Sequence, residues 1–175
     1  MEPFTESEMA AYIEAMNSGN TEGFSRAHSV GADIRPVAHD PLPPVNAKGG
    51  RDVPRGWTAI YEGTVTPRWC NSFGSIHGAC HAWVVDNLCG FTLEVLATGE
   101  KWWGAPMAGG VTLGIEMAYY ESTEIGRSVR ASVRIDRMSG TNAFVTIDID
   151  EIADGQVVKR LASGRQLQTW RKAKL

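Results

Sequence analysis

The chain has 175 residues, 43% of them hydrophobic and 21% charged: one domain's length, with enough apolar content for a real core. A net charge of −3 argues against a nucleic-acid surface or a polybasic membrane anchor. The three cysteines, Cys70, Cys80 and Cys89, form no metal-type pair and leave an odd thiol in any disulfide scheme, so a reducing compartment is expected.

The N-terminus, MEPFTESEMA, is acidic and lacks an apolar core segment, so no secretory signal is expected. Thr5-Glu6-Ser7-Glu8 matches a capping box, with Thr5 as N-cap and Glu8 reaching back. Met9, Ile13 and Met16 recur at helical spacing, Gly19-Asn20 stops the helix, and a second short helix is expected after Thr21. From His28 to Pro54 the chain is rich in Pro, Gly and Asp and reads as a long irregular loop or lid. Residues 1–56 are thus expected to be an N-terminal helix and Pro/Gly-rich extension on a main domain of residues 57–175.

Trp57 to Thr66 is β-prone and ends at Pro67. The uncharged stretch from Trp69 to Val85 is too short and too polar to span a bilayer. Its second half opens a helix expected to be buried almost all round, with Asp86 in the middle. A buried carboxylate is costly unless something pairs with it or uses it. Four strands are predicted beyond the helix. Val111, Leu113, Ile115, Met117 and Tyr119 alternate with smaller or polar residues. Val129, Ala131, Val133 and Ile135 alternate with Arg130, Ser132, Arg134 and Asp136, and Ala143, Val145, Ile147 and Ile149 with Phe144, Thr146, Asp148 and Asp150. Ser139-Gly140 and Asp154-Gly155 are hairpin turns, and a last strand runs from Gln156 to Trp170. The expected architecture is α+β: one long helix swaddled by an antiparallel sheet whose last four strands form a meander.

The order of elements, with Asn71, His77-Gly78-Ala79, Asp86 and Gly110-Val111-Thr112 in succession, resembles the hotdog fold. Within it, the pattern is similar to the PaaI-like and thioesterase superfamily member 2-like acyl-CoA thioesterases. That family shows an Asn, a His-Gly-Gly at the helix start, an Asp further along the helix and a Gly-Val-Ser on the next strand. The likeness runs from Trp57 to Trp170. Ala79 replaces the second Gly but keeps the backbone N–H, and Thr112 replaces Ser but keeps the hydroxyl. The resemblance implies a long central helix wrapped by a five- to six-stranded antiparallel sheet, with an N-terminal helical extension outside the likeness.

It also implies hydrolysis of an acyl-CoA or acyl-carrier thioester with no cofactor beyond the CoA of the substrate. Gly78, at a helix N-terminus, offers a backbone N–H and the positive dipole end to an oxyanion. Asp86 is the nucleophile or the general base on water. The resemblance gives Thr112 the task of holding that water, and gives Asn71 and His77 polar contacts to the reacting group. Eight residues of helix separate Gly78 from Asp86 by roughly 12 Å, too far for both to touch one carbon. A two-fold dimer with Gly78 of one chain facing Asp86 of the other removes the difficulty, and the family pattern agrees, adding a tetramer of two dimers.

Other readings stand beside these. A hotdog hydratase or dehydratase is the alternative enzyme, although no His follows Asp86 in the chain; a non-catalytic acyl-thioester-binding module is the alternative without chemistry. His77 and His81 have metal-type spacing but lack a third ligand, so no metal is expected. Trp102-Trp103 would line an acyl pocket or fill a core, and Arg130, Arg134 and Arg137 would meet CoA phosphates or form a solvated sheet face. Neither a nucleic-acid nor a membrane partner is expected. Ala173-Lys174-Leu175 is a close variant of the peroxisomal Ser-Lys-Leu address, so the expected compartment is cytoplasmic or peroxisomal.

Overall fold

Thr5 caps the first helix as its spacing predicts: the Glu8 side chain accepts from the Thr5 N–H at 2.7 Å, and the Glu8 N–H donates to Thr5 Oγ1 at 3.3 Å. The computed structural model describes residues 1–17, 33–98 and 110–170. Gly19-Asn20, the expected second helix, Trp102-Trp103 and the Ala173-Lys174-Leu175 tail lie outside the described residues. In chain order the elements are β1 (Glu2–Pro3), α1 (Glu6–Asn17), β2 (Ile34–His39), β3 (Thr58–Thr64), a 3-10 turn (Pro67–Trp69), α2 (Gly78–Leu96), β4 (Val111–Tyr119), β5 (Ser128–Met138), β6 (Asn142–Ala153) and β7 (Gln156–Thr169).

The strands form one antiparallel sheet in the order β1-β2-β3-β5-β6-β7-β4. It has seven strands where five to six were expected. The difference lies before residue 57: Ile34–His39, in the Pro/Gly-rich stretch read as irregular throughout, pairs with β3, and Glu2–Pro3 at the N-terminus pairs with β2, so the sheet runs across position 56. Pro36 hid this strand, because proline is excluded only from ladder positions that need its N–H, and the pairing shifts register beside it.

A second correction concerns strand order. The last four strands are not a meander: β5, β6 and β7 are, but β4 pairs with β7, and the chain then crosses back to place β5 beside β3. Period-2 alternation reports which face a strand buries, not which strand lies next to it. The crossing segment is held by Ile76 N–H to Thr123 O and by Val65 N–H to Arg127 O.

Helix α2 lies on the inner face of the sheet. Val84, Val85, Leu88, Cys89, Phe91, Leu93 and Leu96 are buried there, each large aliphatic contributing about 1.5–3 kcal/mol by burial. Against them stand Val129, Ala131, Val133 and Ile135 of β5 and Ala143, Val145, Ile147 and Ile149 of β6, all buried as their alternation predicts. Helix and sheet meet closely at Gly164 of β7, where a Cβ would lie 2.6 Å from Val85 Cγ2. This close approach seats the middle of α2, and with it residue 86, against the β7–β4 edge.

The helix is not buried all round. Ala79 and Asp86 are exposed, and Cys80, Trp83, Asn87 and Gly90 only half-buried, which leaves a stripe of one face open along the helix. In the single chain Asp86 is therefore a surface carboxylate, and the expected buried one is corrected. Position 86 follows the core residues Val84 and Val85 at the next 100° step, which turns it towards the open side.

Candidate active site

The approach to α2 is organised by Asn71. Its Oδ1 accepts from the N–H groups of Phe73 at 2.9 Å and Ser75 at 3.3 Å, and its own N–H donates to Ser75 O at 2.8 Å. This is the local turn that an Asx side chain favours. His77 is the helix N-cap: Nδ1 accepts from Ala79 N–H at 3.0 Å, which places the proton of the neutral ring on Nε2. The Ala79 N–H is thereby occupied, and the N–H groups of Cys80 and His81 go to His77 O. The Gly78 N–H donates to no group among the described residues. It is a free donor at the positive end of a 19-residue helix. Gly78 O accepts from the Tyr119 hydroxyl at 3.1 Å, and a Cβ at Gly78 would meet the Tyr119 ring at 3.6 Å, ordinary contact. Local packing therefore does not require glycine at position 78.

At the middle of the helix, Asp86 Oδ1 accepts from Thr112 Oγ1 at 2.7 Å and from Gln166 Nε2 at 3.0 Å, while Gln166 Nε2 also donates to Thr112 Oγ1 at 2.6 Å. Asp86 Oδ2 has no partner among the described residues. Three elements thus converge on one carboxylate oxygen.

Thr112 reaches this point because of a bulge. The β4–β7 register runs Thr112↔Gln168, then Gly114↔Leu167 and Ile115↔Gln166, so one extra residue is inserted at Leu113. The expected alternation is corrected there. Thr112, Ile115 and Met117 are half-buried on the helix side, whereas Val111 and Leu113 point away and are 44% and 60% exposed. An unbroken period of 2 would have grouped Thr112 with Gly114 and Glu116 on the far face. Gly110, just before, has φ +74°, and a Cβ there would lie 2.5 Å from Thr169 O, so the strand can start in this place only with glycine.

The structure thus brings Asp86 and Thr112 together and places His77 and Gly78 at the start of the helix, two helical turns away, with Asn71 in the turn that leads into it. Sequence reasoning missed Gln166 and Tyr119. Gln166 carried a signal: together with Gln168 it occupies inward positions of β7, where an apolar pair would be ordinary, and both are buried.

The remaining candidates fall elsewhere. Arg130 pairs with Glu62 at 2.5 Å and Arg134 with Asp136 at 3.3 Å, both alternate to the buried positions of β5, and Arg137 is exposed beyond them. His81 is buried near the Tyr119 ring, and burial pushes its imidazole down to about 4. No cluster of three or more His, Cys, Asp or Glu side chains is found among the described residues. Burial, with Cys70 and Asp33 adding to it, pushes the Cys80 thiol up to about 12, and burial raises Cys89 as well. Neither is a thiolate nucleophile near neutral pH. No described helix is long and apolar enough to cross a membrane.

Comparison with known proteins gives three results. No family model matches the chain. Acyl-coenzyme A thioesterase 13 of Homo sapiens and of Pongo abelii are each 28% identical to it over 106 residues, 61% of this chain and 68% of the relative. Among solved structures, thioesterase superfamily member 2 of zebra fish superposes with a TM-score of 0.66 at 20% identity, covering 93% of this chain and 95% of that one. The Escherichia coli PaaI protein gives 0.59 at 15% identity, with 94% of each chain covered. A hypothetical thioesterase protein of Streptococcus pneumoniae with coenzyme A gives 0.54 at 15% identity over 69% of this chain and 83% of that one. The fold is thus the hotdog fold, and the resemblance read from the sequence is found again in a sequence relative and in the solved structures.

Proposed function

We propose that the protein is a thioester hydrolase acting on an acyl-CoA or acyl-carrier thioester, at a site shared between two copies of the chain. The observation that carries this reading is the carboxylate of Asp86 held at Oδ1 by Thr112 Oγ1 at 2.7 Å, on the open face of the helix that begins with an unbonded Gly78 N–H. The names of the thioesterases this chain resembles, and the coenzyme A in one of those structures, support the substrate class.

The reaction follows from the groups present. Asp86 Oδ2, free and open to solvent, takes a proton from water as the water oxygen attacks the thioester carbonyl carbon. The carbonyl oxygen becomes an oxyanion facing the Gly78 N–H and the helix dipole. The C–S bond then breaks, the thiolate leaves, and the proton on Asp86 passes to it, giving a carboxylic acid and a thiol. Gly78 and Asp86 lie roughly 12 Å apart along one helix, so the two halves come from different protomers. Two features favour a second copy. The open stripe Ala79–Asp86 lies on the helix, and β4 is a nine-residue edge strand with Leu113 60% and Tyr119 54% exposed, an edge left open to pairing. Two such dimers form the tetramer. The polar tips of Asn71 Nδ2 and His77 Nε2 stand near the acyl group on this reading.

A panel of CoA thioesters followed with a free-thiol reagent tests the activity. Asp86→Asn is expected to lower kcat by at least about a hundredfold with the fold retained. Near-wild-type turnover in a folded Asp86→Asn sample would remove Asp86 from the mechanism.

A further inference from the structure

Resting on that reading of the site, we propose that Gln166 is a positioning residue: its amide fixes the Asp86 carboxylate so that Oδ2, and not Oδ1, faces the substrate side.

The contacts fix the donors. Gln166 Nε2 donates to Asp86 Oδ1 at 3.0 Å and to Thr112 Oγ1 at 2.6 Å, and because those two oxygens are themselves 2.7 Å apart the bonds to them are bent. Turning the amide over would set Oε1 against a carboxylate oxygen, so chemistry fixes its orientation. Thr112 has one hydroxyl proton, and it goes to Asp86 Oδ1 at 2.7 Å. The three side chains close a triangle in which Oδ1 is held by two donors. The Thr112 proton is then committed to Oδ1, which adds to the task the resemblance gave Thr112: it anchors the carboxylate, and it holds a water only by accepting from it at the remaining lone pair of Oγ1.

The cost of the arrangement also points to function. Gln166 is 2% exposed, and its Oε1 is buried with no hydrogen-bond partner among the described residues. A buried acceptor without a partner destabilises the fold, and an apolar side chain of the same length would avoid that cost. An amide retained for packing would satisfy both its ends. Here only the end facing Asp86 and Thr112 is used, as when stability is given up for a site.

The test is Gln166→Met, similar in length and apolar, with Gln166→Leu as a second variant. Turnover on an acyl-CoA hydrolysed by the wild type, the thermal midpoint and a crystal structure of the variant are measured. The expected result is a kcat at least about tenfold lower with KM unchanged, as for misplacement of a reacting group, and a thermal midpoint equal to or above that of the wild type. Thr112→Val is expected to add little further loss in the Gln166→Met background, because both act through Oδ1. In the crystal structure the Asp86 carboxylate is expected to leave its wild-type rotamer.

Wild-type kcat in folded Gln166→Met would overturn the proposal, as would loss of the fold or a lowered thermal midpoint in both variants, which would make the amide structural. Wild-type protein inactive on the whole panel would count against the thioesterase reading instead. The Asp86 rotamer would still decide for or against Gln166, since an unmoved carboxylate overturns the positioning role whatever the turnover.

Discussion

At Gly78 the proposed oxyanion chemistry rests on one N–H, and the position offers a way to remove that group alone. Gly78 is the first residue of α2, and the preceding His77 has φ −72° and ψ 137°, a conformation compatible with a following proline. Gly78→Pro deletes the donor at the helix position that tolerates proline best, and is expected to lower kcat by about a hundred- to a thousandfold, with circular dichroism and thermal midpoint near wild type. Gly78→Ala keeps the N–H, has room beside Tyr119, and is expected to retain most of the turnover. Equal activity in Ala and Pro variants would show that this N–H does no chemistry.

His81 gives a second residue-scale prediction. Burial pushes its imidazole down to about 4 in the folded chain, against about 6.5 when unfolded. Between those values the unfolded state binds more protons, so stability falls as pH drops, by about 1.4 kcal/mol per pH unit. Urea unfolding of His81→Leu between pH 7 and pH 4.5 should show a flatter acid limb than the wild type; identical slopes would mean that another group carries it.

Among the elements, the seat of α2 on β7 decides where Asp86 ends up. Val85 fits against a strand that carries no side chain at 164, and Ile147 Cγ2 closes the same gap at 3.1 Å from where a Cβ would be. Gly164→Ala is therefore overpacked and should cost about 1–3 kcal/mol. Because Val85 and Asp86 are neighbours, kcat should fall with it. Val85→Ala in the same chain frees the space, and the double variant is expected to be more stable than the two single effects predict. Denaturant midpoints for all four proteins measure this; strict additivity would mean that the helix does not ride on that contact. The other connection near the site is clamped by Glu151. The Thr123 hydroxyl, aided by Lys159 and Arg127, holds its carboxyl below the ordinary range despite burial. That stabilisation is present above the ordinary Glu range and is lost as pH falls through the lowered value.

For the whole molecule, the proposed shared site makes a prediction that no single-chain site can meet. In a mixture of Asp86→Asn with Gly78→Pro chains, each mixed dimer carries one site with both groups intact and one with neither. After subunit exchange at equal amounts, about a quarter of wild-type activity should return, since half of the dimers are mixed and each has one of its two sites. Light scattering establishes the dimer, and a labelled chain establishes the exchange. Exchange without recovered activity would exclude a site built from two protomers.

Local periodicity made much of this protein legible. The capping box at Thr5, the 19-residue helix from Gly78, the inward faces of β5 and β6 and the Asp154-Gly155 turn, with both residues at positive φ, depend on neighbours within a few residues, and so the sequence by itself determined them. The motif also named Asp86 and Thr112, which the fold brings to 2.7 Å across 26 positions of chain. What only the tertiary structure decided is everything set by pairing at long range. The placing of β4 beside β7, the bulge that turns Thr112 towards the helix, the strand hidden in the Pro/Gly-rich stretch and the open side of α2 all arise from partners distant in sequence. Gln166, 80 residues from the carboxylate it holds, is the clearest case. Its strand's alternation says only that it points inward, and nothing local to the chain states that Asp86 is what it meets there.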